Sequence, residues 1–156
     1  MIEIRKSPEG GFVDLRGPVT ARAKGLALAH AEGARFLALP ISDPEEGVKW
    51  ILASFHSPIT VVPLPPDLPP DALAQRLKQL PGGTVIFPEQ VRVDGGGVNA
   101  PPLRNLSDIW AVIFTSGTSG QPKGMAITGV ARSASAHAHA QHLGAARASW
   151  LLNLPL

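Results

Sequence analysis

The residues best suited to chemistry lie in one stretch, Thr115-Ser116-Gly117-Thr118-Ser119-Gly120-Gln121-Pro122-Lys123-Gly124. Thr115, Ser116, Thr118 and Ser119 offer hydroxyls, Gly117 and Gly120 leave the backbone N–H groups uncovered, and Lys123 adds a cation. Many donors, a positive charge and no bulky side chains are what a polyphosphate requires. The spacing excludes a Walker A loop. That motif places four residues between its glycines and follows its Lys with Ser or Thr. Here two residues separate Gly117 from Gly120, and Gly124 follows Lys123. Composition alone also allows a plain Gly/Ser surface turn between two strands.

Other candidate groups point to packing. His30 falls at helical spacing on an apolar stripe and has no second ligand near it in sequence, so it reads as a packing histidine. His56 closes a helix, where a cation suits the dipole. His137, His139 and His142 share one helical segment, but only His139 and His142 share a face and no carboxylate joins them. Gly95-Gly96-Gly97 has no helix behind it and is not a dinucleotide fingerprint. No metal ligand set is expected.

These residues need a scaffold, and the pattern supplies one. Residues 1–16 predict two short strands or an extended arm. Pro18 suits the first turn of a helix bearing Ala23, Leu26, Ala27 and His30 on one stripe, with Gly33 ending it. The near-continuous apolar run 35–41 predicts a strand buried on both faces. Asp43-Pro44-Glu45-Glu46 predicts a helix start with Asp43 as cap and Glu46 closing a capping box. Val48, Ile51, Leu52 and Phe55 then line one face, and His56-Ser57-Pro58 breaks the helix. Strand 59–63, a stiff proline-rich link, helix 71–80 and strand 84–87 follow. Residues 91–97 read as an edge strand and turn. Strand 109–114 leads into the loop, 125–128 returns from it, 129–146 is a helix rich in Ala and Ser, and 149–156 is an apolar strand. Alternating strands and helices predict an α/β, doubly wound, mostly parallel sheet, with ligands at the carboxyl ends of its strands.

Composition narrows the function. The 156 residues fit one domain, and 44% hydrophobic content can form a core. A net charge of +2, with basic residues scattered, gives no stripe for nucleic acid. The high pI of 9.4 reflects the absence of Cys and Tyr, which leaves few groups titrating between His and Lys. Without cysteine there can be no disulfide, thiolate metal site or Cys nucleophile. The sequence has no apolar leader and no run long enough to span a membrane, so the expected location is cytoplasmic.

The string 115–124 resembles the phosphate-binding signature of the adenylate-forming (AMP-dependent synthetase/ligase) enzymes, and its preceding apolar strand is present too. Residues 36–84 resemble that family's early βαβ region, with Ser57 to Pro66 standing where members carry a small-residue turn, an apolar strand and a proline. The segment 150–156 resembles a strand leading to the acyl pocket, in the wording of the o-succinylbenzoate–CoA ligases of menaquinone synthesis. This resemblance implies that residues 1–156 are an incomplete N-terminal domain, with the C-terminal domain absent, and that the chain alone is inactive or nearly so. It implies ATP with Mg2+, a small carboxylic acid and coenzyme A as substrates. Thr115, Ser116, Gly117, Thr118, Ser119, Gly120 and Lys123 would hold the β- and γ-phosphates; catalytic groups would lie beyond Leu156. Ser119 stands where Thr is frequent and keeps the hydroxyl. A non-catalytic nucleotide- or phosphate-binding module is the alternative. The apolar end also leads us to expect self-association through 149–156.

Overall fold

A computed structural model describes residues 3–5, 12–86, 91–93, 108–116 and 121–143. β1 (Glu3–Arg5) and β2 (Phe12–Asp14) form a separate antiparallel pair. α1 (Arg16–Ala31), β3 (Ala34–Pro40), α2 (Pro44–Ser54), β4 (Thr60–Leu64), α3 (Pro70–Leu77), β5 (Gly83–Ile86), β6 (Val91–Val93), β7 (Ile109–Thr115), β8 (Lys123–Thr128) and α4 (Gly129–Leu143) follow. The main sheet has six strands in the order β6-β5-β3-β4-β7-β8. β5, β3, β4 and β7 run parallel, and β6 and β8 join the two edges antiparallel. The expected doubly wound, mostly parallel α/β architecture is what the chain adopts.

Local sequence explains most boundaries. Pro18 lies in the first turn of α1, and Gly33 takes a φ of 95°, a left-handed conformation that glycine reaches at little cost. The α1 entrance is held by Asp14, which accepts from the Arg16 backbone N–H at 2.9 Å and from its guanidinium at 2.6 Å. Those hydrogen bonds, the guanidinium's first, hold the Asp14 carboxyl down at about 2. Asp43 caps α2 by accepting from the Glu45 N–H at 2.9 Å, with Pro44 at the first helical position.

The expected capping box does not form. Glu46 turns instead to Lys49 (2.7 Å) and to Arg22 of α1 (2.5 Å), because two cations are a stronger attraction for a carboxylate than one backbone N–H. The stripes also differ from the expectation. Val19 and Leu26 are the buried residues of α1 while Ala27 is exposed, and Phe55 lies past the end of α2, 43% exposed. Small residues of α4 largely face outward rather than packing closely.

The core divides by strand parity. Leu37, Leu39, Ile59 and Val61 point to α1 and α2, where they meet Leu15, Val19, Leu26 and Ala53. Phe36, Ala38, Val62 and Leu64 point to the other face, against Leu77 and Leu80 around α3. Burying both faces makes β3 and β4 almost wholly apolar, and each fully buried large side chain contributes about 1.5–3 kcal/mol. Thr60 reaches across the sheet: its Oγ1 donates to the Ile109 carbonyl at 2.8 Å and pins the start of β7 to β4. The segments 144–156, including the expected apolar strand 149–156, and 94–107 lie outside the described residues.

Candidate functional site

β7 runs parallel beside β4, with Val61 opposite Ala111, so the loop at its end sits at the carboxyl edge of the parallel strands. Val112 and Phe114 anchor that strand in the α3-side core. β7 and β8 form a hairpin whose last pair is Thr115 opposite Lys123. The Thr115 hydroxyl donates to the Lys123 carbonyl at 3.4 Å, a long bond at the exposed mouth of the hairpin. One step inward Gly124 faces Phe114. A Cβ at Gly124 would lie 3.0 Å from Val112 Cγ1 and 3.3 Å from the Phe114 ring, so a larger residue there requires those side chains to shift by a few tenths of an ångström.

The fold thus brings Thr115, Ser116 and Lys123 to one place, the first two where the chain leaves β7 and the third where it enters β8. All three are exposed. No carboxylate among the described residues pairs with Lys123, so its charge is available. Gly117, Thr118, Ser119 and Gly120 lie outside the described residues. The loop passes into a strand, not a helix. Among the described residues no helix begins at this hairpin mouth, so no helix dipole of the kind Walker-type loops rely on is seen there.

Two side chains around α3 escaped the sequence reading. Gln79 Nε2 donates to the Pro122 carbonyl at 2.9 Å, holding the residue just before Lys123. The Arg76 guanidinium lies 5.8 Å from the centre of the Phe114 ring, just before Thr115. Nothing local in the sequence pairs positions 43 residues apart; the sheet order alone brings α3 against β7.

A second cluster holds α4 to the sheet. Arg132 stacks on Phe55 (4.4 Å) and Trp110 (5.1 Å), those rings lie 5.6 Å apart, and the Trp110 indole N–H donates to Ser54 Oγ at 3.3 Å. This explains why Phe55 belongs to no core stripe. The His137 and His139 Nδ1 atoms each lie 2.8 Å from a carbonyl one turn back, Ser133 and Ser135. His30 Nδ1 lies 3.2 Å from the Ala34 carbonyl, which suits a packing role. Among the described residues no group of three or more His, Asp or Glu side chains could hold a metal, and no helix is long and apolar enough to cross a membrane.

No protein-family model and no curated protein matches this sequence. Solved structures do match its fold. o-Succinylbenzoate CoA synthetase (MenE) from Bacillus subtilis, in complex with the acyl-adenylate intermediate OSB-AMP, superposes with a TM-score of 0.68 at 22% identity, over 95% of this chain and 45% of its own. ATP-bound MatB from Rhodopseudomonas palustris gives 0.64 at 14% identity, over 89% of this chain and 34% of its own. An acyl-CoA synthetase from Brucella canis gives 0.52 at 19% identity, over 87% and 31%. The chain thus spans between a third and just under half of the first two proteins. At these identities the likeness is one of fold. The mostly parallel α/β sheet is that of the N-terminal portion of adenylate-forming enzymes.

Proposed function

We propose that this chain carries the polyphosphate-binding part of an ATP-dependent carboxylate–CoA ligase, of the kind that activates o-succinylbenzoate. The observation that carries the reading is the Thr115–Lys123 hairpin mouth, at the carboxyl end of a parallel strand in a fold shared with ATP-bound MatB and OSB-AMP-bound MenE. In the full reaction a carboxylate oxygen attacks the α-phosphorus of MgATP, pyrophosphate leaves, and an acyl-adenylate forms. The thiol of coenzyme A then displaces AMP and takes the acyl group. This loop's part is electrostatic. Thr115, Ser116, Thr118 and Ser119 offer hydroxyls, Gly117 and Gly120 admit backbone N–H groups, and Lys123 meets the charge that builds on the departing pyrophosphate. Thr115 and Ser116 supply only neutral oxygens, so magnesium fits as a companion of the ATP phosphates, which satisfy most of its coordination.

The chain is expected to bind MgATP, with affinity falling on the order of tenfold or more when Thr118→Ala and Lys123→Ala are combined. Titration calorimetry reads this directly, and a double variant that binds like the wild type overturns the assignment. A second reading is a non-catalytic nucleotide- or phosphate-binding module, which shares the loop 115–124 but predicts no turnover. Labelled pyrophosphate separates the two. Exchange into ATP with o-succinylbenzoate present supports the ligase, whereas ATP binding without exchange supports the module.

A further inference from the structure

The turn that follows α3 grips the loop at a point that sequence does not connect to it. Leu77 and Leu80 are buried, 7% and 2% exposed, and the Leu80 N–H donates to the Leu77 carbonyl at 3.0 Å. Gln79 is therefore launched from a turn fixed in the core. Its backbone N–H donates to the Arg76 carbonyl at 3.0 Å. Its side-chain Nε2 lies 3.5 Å from the Gln75 carbonyl, at the helix C-terminus, and 2.9 Å from the Pro122 carbonyl. Both neighbours are acceptors, so the amide must present its NH2 to them. Arg76 adds a second hold on the other limb. Its guanidinium sits over Phe114 while Nη1 donates to the Ala72 carbonyl at 2.8 Å, and no carboxylate among the described residues pairs with it.

We propose that Gln79 is a positioning residue of the phosphate site: its bond to Pro122 holds the returning limb so that Lys123 is presented in one place. This rests on reading the loop as a polyphosphate site. Gln79 carries no charge, and its amide is turned to the Gln75 and Pro122 carbonyls. It acts by raising the share of molecules whose Lys123 limb is already in the binding arrangement, and apparent affinity scales with that share. An exposed bond to a loop carbonyl adds little to global stability, so a latch and a mere stabiliser differ in what they change.

The experiment titrates the full chain with inorganic tripolyphosphate at several salt concentrations, using wild type, Gln79→Met and Lys123→Met. Methionine keeps the length of Gln79 and removes the donor. Gln79→Met is expected to weaken binding about three- to tenfold, the range spanned by one uncharged hydrogen bond, with the melting temperature unchanged. Its salt dependence should parallel wild type, because no charge is lost. Lys123→Met should weaken binding and flatten the salt dependence, because a screened attraction is gone. The latch is overturned if Gln79→Met binds like wild type while Lys123→Met does not, or if its loss of affinity tracks a loss of melting temperature. If the wild type fails to bind tripolyphosphate, or Lys123→Met binds equally well, the phosphate-site reading fails and the latch with it.

Discussion

Two buried threonines should respond in opposite directions to the same substitution. Thr60 and Thr84 are 2% and 1% exposed, on β4 and β5. The Thr60 hydroxyl donates to the Ile109 carbonyl at 2.8 Å, whereas the Thr84 hydroxyl oxygen is buried with no hydrogen-bond partner. Valine matches threonine in shape, so neither change opens a cavity. Thr60→Val removes a bond and strips a buried carbonyl of its side-chain donor, which costs about 1–3 kcal/mol. Thr84→Val replaces an unsatisfied buried hydroxyl with a methyl group, which should gain about 1 kcal/mol, near the lower end of the cost of burying such a group. The two variants should therefore stand at least about 2 kcal/mol apart. Urea unfolding of each, with slopes like wild type, gives the comparison. Thr60→Ser is the control: it keeps the donor and loses a methyl, so it should be less damaging than Thr60→Val. The reasoning is refuted if both valine variants shift stability the same way, or if Thr60→Ser is the worse of the two Thr60 changes.

Glu46 and Arg132 offer further tests. Hydrogen bonds from Lys49 first, and then Arg22, hold the Glu46 carboxyl below its usual range, against the opposing effect of burial. Because its folded pKa is lowered, its contribution is fully present above the unfolded value of about 4.3 and is lost as pH falls through the lowered one. Glu46→Gln should accordingly cost about 0.5–1 kcal/mol at neutral pH, with the gap to wild type closing in acid, as measured by unfolding across pH 2–7. An unchanged gap at the acid end would disprove the assignment. Arg132→Ala should remove about 1 kcal/mol of cation–π attraction to Phe55 and Trp110. Amides of α4 should then exchange faster while those of β3 and β4 hold their protection; equal exchange in α4 would show that the stack does not hold that helix.

The elements were legible because their signals are local. A run such as 35–41 has apolar side chains on both faces, and only a strand between two layers of helix buries both. Asp43 and Pro44 announce a helix start within two residues, and Gly33 a helix end. The capping box gave way to two cations, of which only one is local: Lys49 stands three residues on in the same helix, whereas Arg22 comes from another helix. On α2, Val48, Ile51 and Leu52 pack on the core as expected, and only Phe55 leaves the stripe, because Trp110 and Arg132 supply it with partners from β7 and α4. Arg76 and Gln79, which touch Phe114 and Pro122 on the two limbs of the hairpin, carry no local signal that sets them apart from other polar positions on an amphipathic helix.

The sequence by itself determined the alternation of strands and helices and the strands that lead into the loop and return from it, since composition and spacing act over a few residues. The order of strands, and with it which helix meets which loop, was decided only in three dimensions. β7 joins β4 because their buried faces and the Thr60–Ile109 bond fit together, and α3 then covers the side of β7 that carries Phe114. Side-chain patterns state which surfaces must be buried. Which surface buries which depends on the packing of the whole core, and that packing places Gln79 against Pro122.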